Sequence, residues 1–174
     1  MKVIIMKNSQ SGMTLVETLI ALSIVGIMTS VSVPPMSNFV EASRADSDAV
    51  NLFTSLLLAR SESVRRNSMV SLCKIDPVSP TFCDNSKGWQ AGWIAFVDDD
   101  ADGVRDAGEE ILETSTGMST QTMVAATNYA NSISYLPSGG ISSNGSFNIC
   151  VNGNVANAIV INATGRPRIT ESAC

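Results

Sequence analysis

The chain has 174 residues, 44% of them hydrophobic and 16% charged, with a net charge of −5 and no histidine. That length suits one domain plus one appendage, and the composition is that of a folded rather than a disordered chain. Without histidine the commonest general base and the commonest metal ligand are missing, which argues against hydrolase triads and zinc sites. No nucleophile motif replaces them, so the chain is not expected to be an enzyme.

The first predicted element is Met13–Val33, twenty-one residues whose single charge is Glu17. A helix rises about 1.5 Å per residue, so this segment spans about 30 Å, the hydrocarbon thickness of a bilayer. Lys2 and Lys7 precede it and no acid does. The positive-inside rule then keeps the short N-terminus cytoplasmic and exports the rest. A cleaved secretory signal would carry an apolar stretch of about 7–15 residues and a small-residue cleavage site. Here the stretch is longer, and Ser30-Val31-Ser32 lies awkwardly close to Pro34 and Pro35.

Glu17 is the costly residue of the span, by about 2.5–3.5 kcal/mol at a membrane centre and somewhat less near an end. Such a carboxylate calls for a cation. If the chain is cut between Gly12 and Met13, the new α-amine on a neighbouring subunit supplies one. The run Ser11-Gly12-Met13-Thr14-Leu15-Val16-Glu17, behind a short basic leader, resembles a type IV prepilin cleavage motif. The resemblance implies that a prepilin peptidase cuts after Gly12 and N-methylates Met13, although family members usually have Phe at that place. It also implies that Glu17 serves subunit assembly. Pro34 falls where many pilin helices carry a proline.

From Met36 to Asn67 the sequence again reads as helix. Apolar residues recur at Ala49, Leu52, Phe53, Leu56, Ala59 and Val64, near the 3.6-residue period. Arg60, Arg65 and Arg66 sit towards its C-terminal end, where cations suit the helix dipole. If Pro34 only bends the helix, Met13–Asn67 forms one rod of about 80 Å. A rod apolar at one end and amphipathic at the other suits a filament whose apolar halves bundle together.

After Asn67 the period changes to two and turn residues multiply. Strands are expected near Met69–Ile75, Trp89–Val97, Ile111–Thr114, Ile133–Leu136, Phe147–Val151, Ala158–Ala163 and Arg168–Thr170. The expected fold is therefore α+β: a long N-terminal helix, half transmembrane and half amphipathic, packed on an antiparallel β-sheet head. The division runs 1–12 leader, 13–33 transmembrane or filament-core helix, 34–67 amphipathic half, and 68–174 head. Segments Leu58–Arg66, Gly88–Asp98 and Ile159–Arg168 resemble the GspH/FimT-type pseudopilin domain, in the expected order. The resemblance implies a minor type IV pilin that takes part in initiating or tipping a pilus. Its partners would be other minor pilins, the major pilin, prepilin peptidase and the inner membrane. The alternative is a DNA-binding minor pilin for natural transformation, and a further one is a minor pseudopilin of a type II secretion system. In each case the head would be periplasmic and the subunit would enter a periplasmic or extracellular filament.

All four cysteines, Cys73, Cys83, Cys150 and Cys174, follow the apolar segment. Their even count downstream of a membrane segment favours two disulfides in an oxidising compartment, with buried free thiols as the alternative. Three connectivities are possible, and Cys73–Cys83 with Cys150–Cys174 closes the shortest loops.

Two stretches of the head are candidate binding sites. Asp98 to Glu113 carries eight acids against Arg105, so one loop holds most of the head's negative charge. Within it Asp98, Asp100, Asp102 and Glu109 take places 1, 3, 5 and 12 of a calcium loop, with Gly103 at the sharp turn. The expected strand flanks and Arg105 at place eight argue instead for a solvated acidic loop. No other cofactor is expected. Gly165-Arg166-Pro167-Arg168 places two guanidiniums beside a turn, and the resemblance here is to the GRxR motif of FimT-type pilins that capture DNA. Two phosphate contacts give only weak, salt-sensitive binding unless a filament supplies avidity. The alternative is two surface arginines closing a hairpin.

Overall fold

The computed structural model describes residues 12–119, 121–153 and 155–172, and the side chains among them other than those of 30–38, 155 and 156. The chain divides into two compact units, Met1–Phe39 and Val40–Cys174. Helix α1 is Leu15–Arg66. Nine strands follow among the described residues: β1 Val70–Asp76, β2 Ser79–Cys83, β3 Trp93–Val97, β4 Ile111–Ser115, β5 Thr122–Thr127, β6 Ser132–Tyr135, β7 Gly145–Val151, β8 Val155–Ile161 and β9 Pro167–Ser172.

In the first unit Leu15, Val16, Leu19, Ile20, Leu22 and Val25 are all more than half exposed. The few hydroxyls among them turn back onto the helix: Thr18 donates to the Leu15 carbonyl at 2.8 Å, Ser23 to Leu19 at 2.8 Å and Thr29 to Val25 at 3.0 Å. No helix of the described residues is long and apolar enough to cross a membrane. The predicted span Met13–Val33 is described in its side chains only as far as Thr29, and the side chains of 30–33 lie outside the described set.

In the second unit α1 buries Ala45, Ala49, Leu52, Leu56, Ala59 and Ser63, a stripe stepping by four, three, four, three and four. That spacing keeps one face inward. Val64 was expected on this stripe but is 52% exposed. Ser63 takes the place instead, its hydroxyl bonded to the Arg60 carbonyl at 2.9 Å. A polar side chain that satisfies itself on its own helix can hold a core position that hydrophobicity assigns to its neighbour.

The strands pair antiparallel in two sheets, one built on β2-β1-β3-β4 with β6 added to β1, the other running β5-β7-β8-β9. β1 is central: it pairs β3 through Val70↔Val97 to Lys74↔Trp93, and its other edge is shared by β6 and β2. The main core unites Leu52 and Leu56 of α1 with Val70, Leu72, Trp93, Ala95, Ile133 and Tyr135 of the first sheet. Phe147, Ile149, Ile159 and Ile161 of the second sheet close it. Trp89 meets the Phe147 ring edge-on at 5.0 Å, and Tyr129 stacks on it at 5.2 Å. The opposite face of the first sheet is covered too, by Cys73, Ile75, Ile94 and Phe96 packed with Cys83. Hence β3 is buried at all five positions.

Polar ties seat α1 on the second sheet. Asp46 accepts from Asn157 Nδ2 at 2.9 Å, Asp48 accepts from the Thr122 hydroxyl, and Arg44 donates to Gln121 at 2.9 Å. At the other end of the helix Arg66 grips Glu110 with both terminal nitrogens, at 2.7 and 3.0 Å, and Glu62 accepts from both Arg65 and Arg66. Arg65, then Arg66, hold the Glu62 carboxyl at about 2, against an ordinary 4.5.

One expected strand is corrected, and two strands are added to those expected. Trp89–Ala91 is a 3-10 turn, and only Trp93–Val97 is strand, because Gly92 at φ 139 breaks the extended run. β2 escapes the pattern because it is largely exposed and contains Pro80. β5 escapes it because the large residue, Met123, points outward at 71% exposure while small ones point in.

Candidate functional site

Gly12, Met13 and Thr14 immediately precede α1. The Thr14 hydroxyl accepts the Glu17 amide at 3.3 Å, and its carbonyl accepts the Thr18 amide at 3.2 Å. Thr14 is thus the N-cap and Glu17 the third helical residue, the spacing of a capping box. The exposed Glu17 carboxylate stands in the first turn, where the helix dipole favours negative charge. Local structure therefore gives Glu17 a favourable seat that the apolar pattern alone does not reveal.

Cys73 and Cys83 form a disulfide that ties β1 to β2 with 5.6 Å between Cα atoms. Cys150 is also disulfide-bonded, and Cys174 lies outside the described residues.

The acidic loop between β3 and β4 does not use its four candidate carboxylates alike. One oxygen each of Asp98, Asp100 and Asp102 lies within 4.8 Å of the others. Glu109 faces elsewhere: its two oxygens accept the amides of Asp99 at 2.9 Å and Asp106 at 2.7 Å. It braces the loop from within and does not join the other three. Arg105 works the same way, donating to the carbonyls of Thr81 at 3.1 Å and Glu109 at 2.9 Å and lying 5.2 Å over the Phe82 ring. These contacts tie the loop to β2.

Arg166 and Arg168 are both exposed. Gly165 before them has φ +72, and a Cβ there would lie 2.0 Å from the Gly139 carbonyl oxygen, so the β8–β9 turn is pressed against the 138–140 turn. This contact forms a cleft of about 510 Å³ lined by Arg60, Ser138, Gly140, Asn162, Ala163, Thr164 and Arg166. Arg60 comes from α1 and is oriented by its bond to the Gly139 carbonyl at 3.0 Å. The cleft joins Arg166 to Arg60, while Arg168 lies on β9 outside its lining. Sequence reasoning missed Arg60. Its one signal was its place beside the buried Ala59 and Ser63, at the border of the core stripe.

With this geometry in view, comparison with known proteins gives a consistent result. A family model described as Type II transport protein GspH matches residues 48–165. The chain belongs to the GspH family. A second model, the Prokaryotic N-terminal methylation motif, matches residues 7–33. Among curated proteins, the Pilin-like protein PilA1 of Thermus thermophilus is 32% identical over 109 residues, which are 63% of this GspH-family chain and 62% of that protein. The chain thus spans less than two thirds of that relative's length. Among solved structures, the Pseudomonas aeruginosa type IV minor pilin FimU superposes with a TM-score of 0.59 at 22% identity, covering 77% of this chain and 92% of that one. The minor pseudopilin EpsH from the Type 2 Secretion System of Vibrio cholerae gives 0.53 at 11% identity, over 74% and 97% of the two chains. These likenesses establish the fold, a helix on antiparallel sheets. The GspH match gives the chain its family, and the second match puts a methylation motif over its N-terminal part.

Proposed function

We propose that this protein is a minor pilin cleaved after Gly12 and anchored in the inner membrane by its first helix, with the head periplasmic. From there it joins other minor pilins and the major pilin to initiate or tip a type IV pilus. The observation that carries the reading is the first half of α1. Leu15, Leu19 and Leu22 are 76%, 56% and 69% exposed, and a stretch this apolar cannot remain in water. Lipid covers it before assembly and neighbouring helices cover it afterwards. The hydroxyls that bond back to their own helix fit such a medium, where no water satisfies them. Glu17 then meets the N-terminal amine of a neighbour. The test is mass spectrometry of the protein from its native host, together with a deletion strain scored for surface pili, transformation and exoprotein release. An N-terminus at Met13 and loss of pili support the reading. Any other N-terminus overturns the processing. Loss of exoprotein release with pili intact assigns the subunit to secretion instead.

The cleft between Arg60 and Arg166 favours a second reading, in which the head grips DNA phosphates. A backbone-binding site needs guanidiniums presented together, and here the fold brings in one from α1 that is distant in sequence. The affinity would fall with salt by about 0.9 log units per log unit for each phosphate contact. A gel shift at low salt compares the native chain with a variant carrying Gln at 60, 166 and 168. Unchanged binding by the variant removes this reading.

A further inference from the structure

We propose that the β3–β4 loop binds one calcium ion through the carboxylates of Asp98, Asp100 and Asp102. Calcium takes oxygen ligands at about 2.3–2.6 Å, so oxygens on opposite sides of one ion stand up to about 5 Å apart. The three carboxylate oxygens lie within 4.8 Å of one another, inside that reach. Exposed acids cluster often without a metal, and the decisive residue is the one that is not exposed. Asp98 is 2% exposed. Its Oδ2 accepts the Ser71 hydroxyl at 2.5 Å and the Gly103 amide at 3.1 Å, but its Oδ1 has no hydrogen-bond partner. A buried carboxylate oxygen left without donor or cation is destabilising, and a cation held by the triad removes that cost.

Among the described residues no side-chain cation meets this need. Among the described residues the ion pairs join Glu62, Arg65, Arg66, Glu110, Lys87 and Asp76, and none includes Asp98, Asp100 or Asp102. Arg105 is turned to the carbonyls of Thr81 and Glu109. The loop is also held in place from behind. Gly103 has φ +74, and a Cβ there would lie 2.8 Å from the Ser132 hydroxyl, so the backbone that donates to Asp98 is pressed onto β6. Asp100 and Asp102 are exposed and give the ion a path in. With Glu109 committed to amides, water completes the shell. The set is smaller than that of an EF-hand, which puts the affinity in the range of extracellular modules, with Kd about 10⁻⁴–10⁻³ M.

The experiment uses the full-length chain in detergent micelles, stripped with a chelator and melted with and without about 10 mM calcium chloride. Saturation at this affinity raises Tm by about 5 °C. The companion variant, Asp100→Asn with Asp102→Asn, keeps the oxygens that accept the Asp102 and Val104 amides and removes two charges. In chelator it melts at or above the native chain, because like charges are gone, and calcium leaves it unmoved. A native chain unmoved by calcium overturns the proposal. So does an equal rise with magnesium chloride, which indicates screening, or a calcium rise that survives in the variant. A variant that melts below the native chain in chelator also overturns it, since the carboxylates then act as structural acceptors alone.

Discussion

Replacing Gly165 by alanine tests the close approach on which the Arg60–Arg166 cleft depends. Gly165 and Gly153 share φ +72, yet an added Cβ meets the Gly139 oxygen at 2.0 Å in the first case and nothing within 4 Å in the second. Gly153→Ala therefore measures the left-handed backbone cost alone, about 1–2 kcal/mol. Gly165→Ala carries the same cost plus a collision with backbone, which cannot rotate away as a side-chain tip does. Overpacking of this kind adds about 1–3 kcal/mol. The assay is urea unfolding of the full-length chain in micelles, followed by the fluorescence of Trp89 and Trp93, which are 2% and 0% exposed and report the core directly. With a slope of about 1–3 kcal/mol per molar urea, the two alanine variants should differ in midpoint by about 1 M, Gly165→Ala being the weaker. Coincident midpoints would refute the reasoning, because the β8–β9 turn would then not be pressed against residues 138–140.

Phe147→Ala should cost about 3–5 kcal/mol and shift the emission of Trp89, whose ring stands 5.0 Å from that of Phe147; an unchanged spectrum would count against the packing. Replacing Cys73 and Cys83 together by alanine opens a ten-residue loop and should lower stability by about 2–3 kcal/mol in denaturant titrations. The Glu62 carboxyl is held at about 2 in the folded chain against an ordinary 4.5. Because the folded value is the lower one, its contribution is complete above about pH 4.5 and is lost as pH falls towards 2. Melting curves of the native chain and Glu62→Gln should therefore be separated at pH 6 and converge by pH 2.

The sequence exposed the fold to the extent that hydrophobic periodicity did. The α1 face was visible because Ala49, Leu52, Leu56 and Ala59 repeat at helical spacing, and β1, β3 and β7 because their apolar residues are consecutive or alternate. What stayed hidden depended on polar and turn contacts that apolar spacing does not register. Ser63 in place of Val64 is decided by a hydroxyl bonding its own helix. The diversion of Glu109 from the other acids is decided by which amides the loop turns towards it. Arg60 joins Arg166 only after two turns meet across a glycine. The motif at Gly12–Glu17 was legible because it is local, and the structure adds Thr14 as its cap.

Thr14 lies two residues beyond the Gly12–Met13 bond, and it is the acceptor from which the coil of α1 begins. Hydrolysis of that bond would leave the starting hydrogen bonds of the helix intact. Precursor and trimmed subunit can then share the same first turn, so that processing would change what stands at the tip, a fresh ammonium group, without unwinding the turn behind it.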